Sequence, residues 1–406
     1  MSVAPSDGPS TSNGSGRRVG VAFVGVGGAV ATTAIAGIEM IRAGSNRKDG
    51  LPLADVAAPG IADYRDLVFG GWDLMDDDLG AAAEKHGVLS RAEIDDGAAA
   101  LRSMRPWRAV GSDKFCRNVD GGHKINARSH REAVDLIGED LARFQRESGA
   151  DSLVVVNLAS TERWPDLSAA ALNSLDAFER GLDNSDEAIG PAMLYAYAAI
   201  RNGVPYANFT PSVAADVPAL VDFAAARNVP VAGKDGKTGQ TFLKTVIAPA
   251  LKGRALHVDG WFSTNILGNR DGLALDDPDS LKSKLNTKGS VLDQILGYPV
   301  EDHIVDIRYY RPRGDDKEAW DNIDVSGFLG HKMQIKVNFL CKDSILAAPL
   351  AIEIARVLDL ARARGDGGVQ EQLSIFFKAP MVGNGHAPEH AFHTQERMLF
   401  DWLGQA

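Results

Sequence analysis

The sequence predicts an α/β protein with a parallel sheet, and three observations carry that expectation. Short apolar runs alternate with helical segments through much of the chain. The runs end in Gly, Asn, Ser or Thr, residue types found where strands hand over to ligand-facing loops. The first run, VGVAFVGVGG from Val19, closes in a glycine turn and enters a helical stretch of small residues. That is the layout in which a backbone approaches a pyrophosphate.

The bulk properties narrow the class. A chain of 406 residues has room for two domains, which commonly run roughly 100–200 residues each. Its 45% hydrophobic and 24% charged content is that of an ordinary globular protein. A net charge of -11 argues against a nucleic-acid surface. Two cysteines, Cys116 and Cys341, suit a reducing cytoplasm and offer no metal spacing. No apolar run reaches the roughly 18 residues of a membrane span. Residues 1–17, rich in Ser, Gly and Pro without an apolar core, read as a disordered tail rather than a signal peptide.

Taken in order, the first strand ends in Gly25, Gly27 and Gly28, followed by Ala29 and Val30. Val30 stands where G-x-G-x-x-G has its third glycine, so the turn reads either as a dinucleotide site or as a structural turn. Leu67–Phe69 follows as a strand, with Gly70, Gly71, Trp72 and Asp73 expected as a turn at its end. Asp73 is placed to reach a ribose hydroxyl, or equally to cap a helix. His130–Glu147 has helical spacing. SLVVVN then leads to Asn157, Ser160, Thr161 and Glu162 at the carboxyl edge of the sheet. IGPAMLYAYAAIRNG is a helix before VPYANFTPS, whose polar tip carries Asn208, Thr210 and Ser212.

The stretch Val229–Ala250 is strand, glycine loop with lysine, then helix, which suits an anion. GKDGKT imitates a triphosphate loop, but Val231 occupies the position of its first glycine. Lys237 therefore reads as a sugar-phosphate lysine. Near the end, His386, His390 and His393 have near-helical spacing that suggests a metal. Pro388 and the loop-like GNGHAPEH point instead to a surface segment.

Nine segments, in order, resemble the myo-inositol-1-phosphate synthase family, also called inositol-3-phosphate synthase. They are VGVGGAVATT, DLVFGGWDL, NLASTERW, Val229–Thr245, STNILGNRDG, LKSKLNTKGSVLD, DHIVDIRYYRPRGD, CKDSILAAPL and FFKAP, and they cover most of the chain from Val19 to Pro380. The resemblance implies a Rossmann-type NAD-binding domain (18–212 plus 321–406) interrupted by an α+β catalytic and tetramer-forming domain (213–320). It implies a homotetramer that converts glucose 6-phosphate to an inositol monophosphate without net redox change. Hydride leaves C5 of the open-chain sugar to NAD+, and the ketone acidifies the C6 protons. C6 then attacks the C1 aldehyde, and hydride returns. Such a site must stabilise negative oxygen repeatedly, which lysine ammonium groups suit.

Carried over residue by residue, the resemblance gives Lys237, Lys284 and Lys378 as active-site lysines and Asp315 as the catalytic acid position. The substrate set is Thr210, Ser212, Lys244, Asn265, Asn269, Arg270, Asp271 and Lys288. The NAD set is Gly25, Gly27, Gly28, Ala29, Val30, Asp73, Asn157, Ser160, Thr161, Asp343 and Ser344. No metal ligand is assigned. The plainer reading makes Lys282, Lys284 and Lys288 solvated helix residues and Asp315, beside Asp316, part of a charged turn.

The chain departs from the family pattern at Phe242 and Lys234, where a lysine and an acid are expected, and at Arg270, Ile266 and Ala29–Ala31. Arg270 is suited to restoring a phosphate contact. The alternatives are the same chemistry on fructose 6-phosphate, an ordinary dehydrogenase that releases NADH, and a dinucleotide-sensing binding protein.

Overall fold

A computed structural model describes residues 16–45, 48–116, 121–269, 291–383 and 385–405. The expected disordered tail therefore falls almost wholly outside the described residues, as do Arg270, Asp271, Lys282, Lys284 and Lys288.

The chain begins with β1 (Val19–Val24), α1 (Ala29–Ala43), β2 (Leu67–Asp73), α2 (Leu79–His86), α3 (Arg91–Ser103) and β3 (Trp107–Arg108). It continues through α4 (His130–Ser148), β4 (Ser152–Asn157), α5 (Leu175–Asn184), α6 (Pro191–Arg201), β5 (Tyr206–Asn208), α7 (Pro218–Ala226) and β6 (Pro230–Gly233). Then come α8 (Gly239–Gly253), β7 (His257–Leu267), α9 (Val291–Leu296), β8 (Asp302–Tyr309), β9 (Asp316–Ser326) and β10 (Lys332–Lys342). The last elements are α10 (Asp343–Arg364), β11 (Gly368–Val369) and α11 (Phe392–Leu403).

Among the described residues, seven strands form a parallel sheet in the order β11-β6-β5-β4-β1-β2-β3. All six residues of β1 and five of six in β4 are buried, because helices cover both faces of such a sheet. One core lies between the sheet and α4, α5, α6 and α7; the other lies under α1 and α10. Most of α10 is buried all round its circumference, as a helix enclosed by protein requires.

The expected turn at Gly70–Asp73 is instead the continuation of β2. A side chain at Gly71 would place its Cβ 2.0 Å from the Phe23 carbonyl oxygen, and one at Gly70 would strike Trp107. The two glycines are there so that β2 can lie close to its neighbours while remaining a strand.

The second sheet runs β10-β9-β7-β8, with β7 parallel to β8 and the other pairs antiparallel. Helices α8 and α9 cover one face through Ala248, Leu251, Val291 and Leu292 against Trp261 and Ile323. The expected bounds at 213 and 320 do not coincide with the sheets. Strand β6, fully buried, pairs with β5 and β11 in the first sheet. A cut after Trp320 would pass through β9, whose ladder with β10 is continuous from Asp316 to Ser326.

Candidate active site

The strand order reverses between β1 and β4, and a cleft of about 250 Å³ opens at the carboxyl ends of these strands. Ligands of open α/β sheets bind at such a switch point. The Gly25–Gly28 turn forms one wall. Gly25 has φ +84, and a Cβ there would lie 3.1 Å from the Ala159 backbone. Gly28 caps α1 without a side-chain hydrogen bond, and the first turn of α1 holds no acid. Its amides are thus aimed at the cleft with no carboxylate competing for them, the arrangement that receives a pyrophosphate.

Asp73 stands at the end of β2. Its carboxylate accepts from Gly27 N–H at 2.9 Å and Met75 N–H at 3.0 Å. Asp78, not Asp73, caps α2, so the capping alternative for Asp73 is corrected. Asn157 ties the loop after β4 to that after β5: it donates to Asn208 Oδ1 at 3.2 Å and accepts from Ala159 N–H at 3.1 Å. Ser160 and Thr161 then line the cleft with Ala29 and Val30. Asp73→Ala is expected to weaken NAD binding about tenfold or more, because two backbone donors lose their acceptor. Fluorescence titration measures it.

The far end of the cleft is built by two loops held as a short ladder. Lys234 N–H donates to Ala379 O at 2.8 Å and Lys378 N–H to Asp235 O at 2.7 Å, while Lys237 N–H donates to Phe376 O at 2.8 Å. Gly236 lies against the Phe209 ring, 2.1 Å from where a Cβ would stand. Only glycine permits that approach. The ladder sets Lys378 and Lys237 close together along one seam.

The two lysines meet different surroundings. Lys378 is buried and forms an ion pair with Asp235 at 2.7 Å. Lys237 is equally buried, but its ammonium donates to the neutral Gln395 amide oxygen and lies 5.8 Å from the Phe392 ring centre. Burial pulls its pKa down to about 7, against a smaller pull upward from Glu389. Lys378 and Asp235 line the main cleft; Lys237 sits just behind, beside Thr238, which does line it.

Asp315 lies one layer back. It accepts from Asn269 Nδ2 at 3.0 Å, Ser344 N–H at 3.0 Å and Ser344 Oγ at 2.9 Å, and burial raises its pKa. It therefore fixes two groups that line the cleft, Asn269 and Ser344, rather than standing in a loose charged turn. Asp343, at the start of α10, accepts from Thr238 Oγ1 at 2.9 Å and pairs with Lys317 at 3.2 Å. Thr210 lines the cleft, whereas Ser212 is turned away and accepts from Glu162 N–H at 2.9 Å.

Lys244 and Asn265 lie on the contact between α8 and the second sheet. Lys244 Nζ is 2.8 Å from His303 Nε2 and near the Trp261 ring, and burial lowers its pKa to about 8. Asn265 donates to Gln240 Oε1. Phe242 is partly exposed and meets Phe392 edge-on at 5.3 Å.

Two residues at this site, His86 and Gln395, carried no signal in the sequence. His86 places Nε2 2.8 Å from Gly27 O. Gln395 reaches Lys237 across 158 residues of chain, a separation no local pattern reveals. Glu162 was visible at the strand end, but not its burial, which raises its pKa to about 8. His390 corrects the expectation of a surface segment: it is buried, and burial followed by the Lys237 charge lowers its pKa to about 4. His386 instead faces Glu371 at 2.9 Å on the exterior.

The switch-point cleft, the glycine turn and the acid after β2 define a dinucleotide-binding α/β protein, with a lysine-bearing chamber at the far end of the cleft. A family model described as myo-inositol-1-phosphate synthase matches residues 50–404. Inositol-3-phosphate synthase 1 of Bacteroides thetaiotaomicron is 43% identical over 94% of both chains. Isozyme 1 of Arabidopsis thaliana is 31% identical over 82% of this chain and 69% of its own. The crystal structure of inositol-3-phosphate synthase from Caenorhabditis elegans matches with a TM-score of 0.86 at 26% identity, covering 96% of this chain and 86% of that one. The chain belongs to the myo-inositol-1-phosphate synthase family. It is an NAD-dependent enzyme of that family.

Proposed function

We propose that this enzyme cyclises glucose 6-phosphate to an inositol monophosphate with no net redox change, and that Lys237, Lys378 and Asp315 are central to its site. The observation that carries the chemistry is the pair of buried lysines on one backbone seam at the end of the dinucleotide cleft. The cleft fits NAD: the acid-free start of α1 suits the pyrophosphate, and Asp73 lines the cleft at the end of β2, where a ribose hydroxyl would lie. Bound NAD+ supplies a reversible hydride acceptor.

The chain's own residues supply the rest. Lys237, with its pKa near 7, can take a proton as an amine and return it as an ammonium at neutral pH. Lys378 brings a positive charge whose counter-ion, Asp235, holds it in place, so it serves oxygen atoms that become negative. A carboxylate beside Lys378 and a neutral amide beside Lys237 suit the two lysines to different tasks. Thr210, Asn269 and Ser344 line the part of the cleft where the sugar phosphate lies on this reading, the last two held by Asp315.

A homotetramer is supported by the apolar side chains the second sheet leaves exposed: Phe328 and Leu329 at the β9–β10 turn, and Trp320 and Leu340 toward the other end of the same ladder. A cytoplasmic site is consistent with Cys116 and Cys341 standing outside any disulfide. No helix among the described residues is long and apolar enough to cross a membrane.

The decisive experiment supplies glucose 6-phosphate or fructose 6-phosphate with a catalytic amount of NAD+. Inositol monophosphate from the first, without lasting NADH absorbance, is the expected result. NADH accumulating in step with sugar consumed, or no cyclic product from glucose 6-phosphate, would overturn the proposal.

A further inference from the structure

We infer that Gln395 is the positioning residue for Lys237, and that the segment from Glu389 to Gln395 exists in this chain partly to deliver it. Gln395 is completely buried. Its amide donates to Glu389 O at 2.6 Å, and its oxygen accepts from Lys237. The amide has one workable orientation: the reverse would set NH2 against the lysine amine and oxygen against a carbonyl. The acceptor is therefore aimed, and Lys237 has one preferred place for its amino group.

An apolar clasp holds this arrangement from the side. The Phe392 ring faces Lys237, and Phe242 packs edge-on against Phe392. Phe242 stands where the family pattern expects a lysine, so the departure in α8 is matched by a contact with α11. The charged and titratable groups around Lys237 are Glu389 and His390 on the arriving segment. The Asp235–Lys378 pair lies on the adjoining seam.

The choice of a neutral acceptor has a chemical consequence. An amide holds the amine in position while adding no net negative charge. A carboxylate at the same point would favour the ammonium and remove the base at neutral pH. This inference rests on the reading of Lys237 as the proton carrier.

The test is the pH dependence of inositol monophosphate formation in the full-length enzyme with NAD. Wild type should lose kcat/KM as pH falls through about 7, the value to which Lys237 is lowered. Gln395→Glu is expected to move this limb upward by about one pH unit, since an opposite charge in contact shifts a pKa by roughly 1–3 units. Activity at neutral pH then drops about fivefold and recovers at higher pH, with KM nearly unchanged. Gln395→Met removes the acceptor, and is expected to lower kcat at every pH and to move the limb downward.

NAD binding by both variants reports on folding. An unmoved limb in Gln395→Glu, with Lys237→Met inactive, overturns the positioning role. If Gln395→Glu does not fold, an unaltered pH profile and kcat in Gln395→Met has the same force. A Lys237→Met enzyme that still cyclises glucose 6-phosphate overturns instead the catalytic reading of Lys237.

Discussion

Lys237→Met is expected to abolish measurable cyclisation and, at the same time, to make the folded protein more stable. The first effect follows from removing the proton carrier, worth about 10²–10⁴ in rate for a positioned acid–base group. NAD binding should persist, because the glycine turn and Asp73 lie elsewhere in the cleft.

The second effect follows from burial. Lys237 has its pKa lowered from 10.5 to about 7, a penalty on the order of 4 kcal/mol at neutral pH. Losing the donor to Gln395 offsets about 1–3 kcal/mol of the gain, so a net stabilisation of about 1–3 kcal/mol remains. The pH dependence has a definite sign. Between about 7 and 10.5 the unfolded chain binds more protons at this residue than the folded one. Native stability therefore rises with pH across that window. The methionine variant should lose that rise, so its advantage should shrink with pH and reverse at high pH, where only the lost hydrogen bond to Gln395 remains. Urea unfolding at two pH values decides it; a variant less stable than wild type at neutral pH would contradict the burial argument.

Asp235→Asn should move stability the other way. The substitution keeps the shape and tolerates the positive backbone angle of +61 at this position, so it isolates the charge. Lys378 would remain buried without the carboxylate now 2.7 Å from it. Stranding a buried charge costs about 3–5 kcal/mol. Activity should fall as well, because the ammonium either moves or becomes neutral. The double variant Asp235→Asn, Lys378→Met removes both charges and should recover much of the lost stability while remaining inactive. Additive losses in the double variant would show that the pair is not coupled.

These two predictions depend on features of unequal legibility. The parallel sheet was readable because strands buried on both faces appear as unbroken apolar runs, as in β1 and β4. The glycine turn was readable because its geometry demands glycine. Gly70 and Gly71 misled for the same reason: they suggest a turn, whereas their purpose is close strand packing.

The bounds of the two sheets were not readable. Whether β6 pairs with β5 or opens a new unit depends on a partner, β11, that arrives more than a hundred residues later. Lys237 is recognisable from its glycine loop and Lys378 only through family resemblance, and nothing near Lys237 in sequence announces its burial. Their differing partners, Asp235 and Gln395, are tertiary facts. His390 escapes a sequence reading because Pro388 and the glycines around it have the composition of an exposed loop, yet it is covered, whereas His386 and His393 are exposed as expected.

The ladder between the Lys234–Lys237 loop and the Phe376–Ala379 loop has a consequence for how the enzyme comes into being. During synthesis β1 to β5 emerge first, but the core beside α1 lacks one wall until α10 arrives, and domains generally fold as units. The seam that holds Lys237 and Lys378 in register must wait for residue 379, and the acceptor for Lys237 must wait for residue 395. The nucleotide cleft, lined also by Asp343, Ser344 and Ala347 of α10, and the lysine seam are thus completed in the same late stretch of chain. Reactive groups and the hydride acceptor are brought together only at the end, when the enclosure around them is also finished.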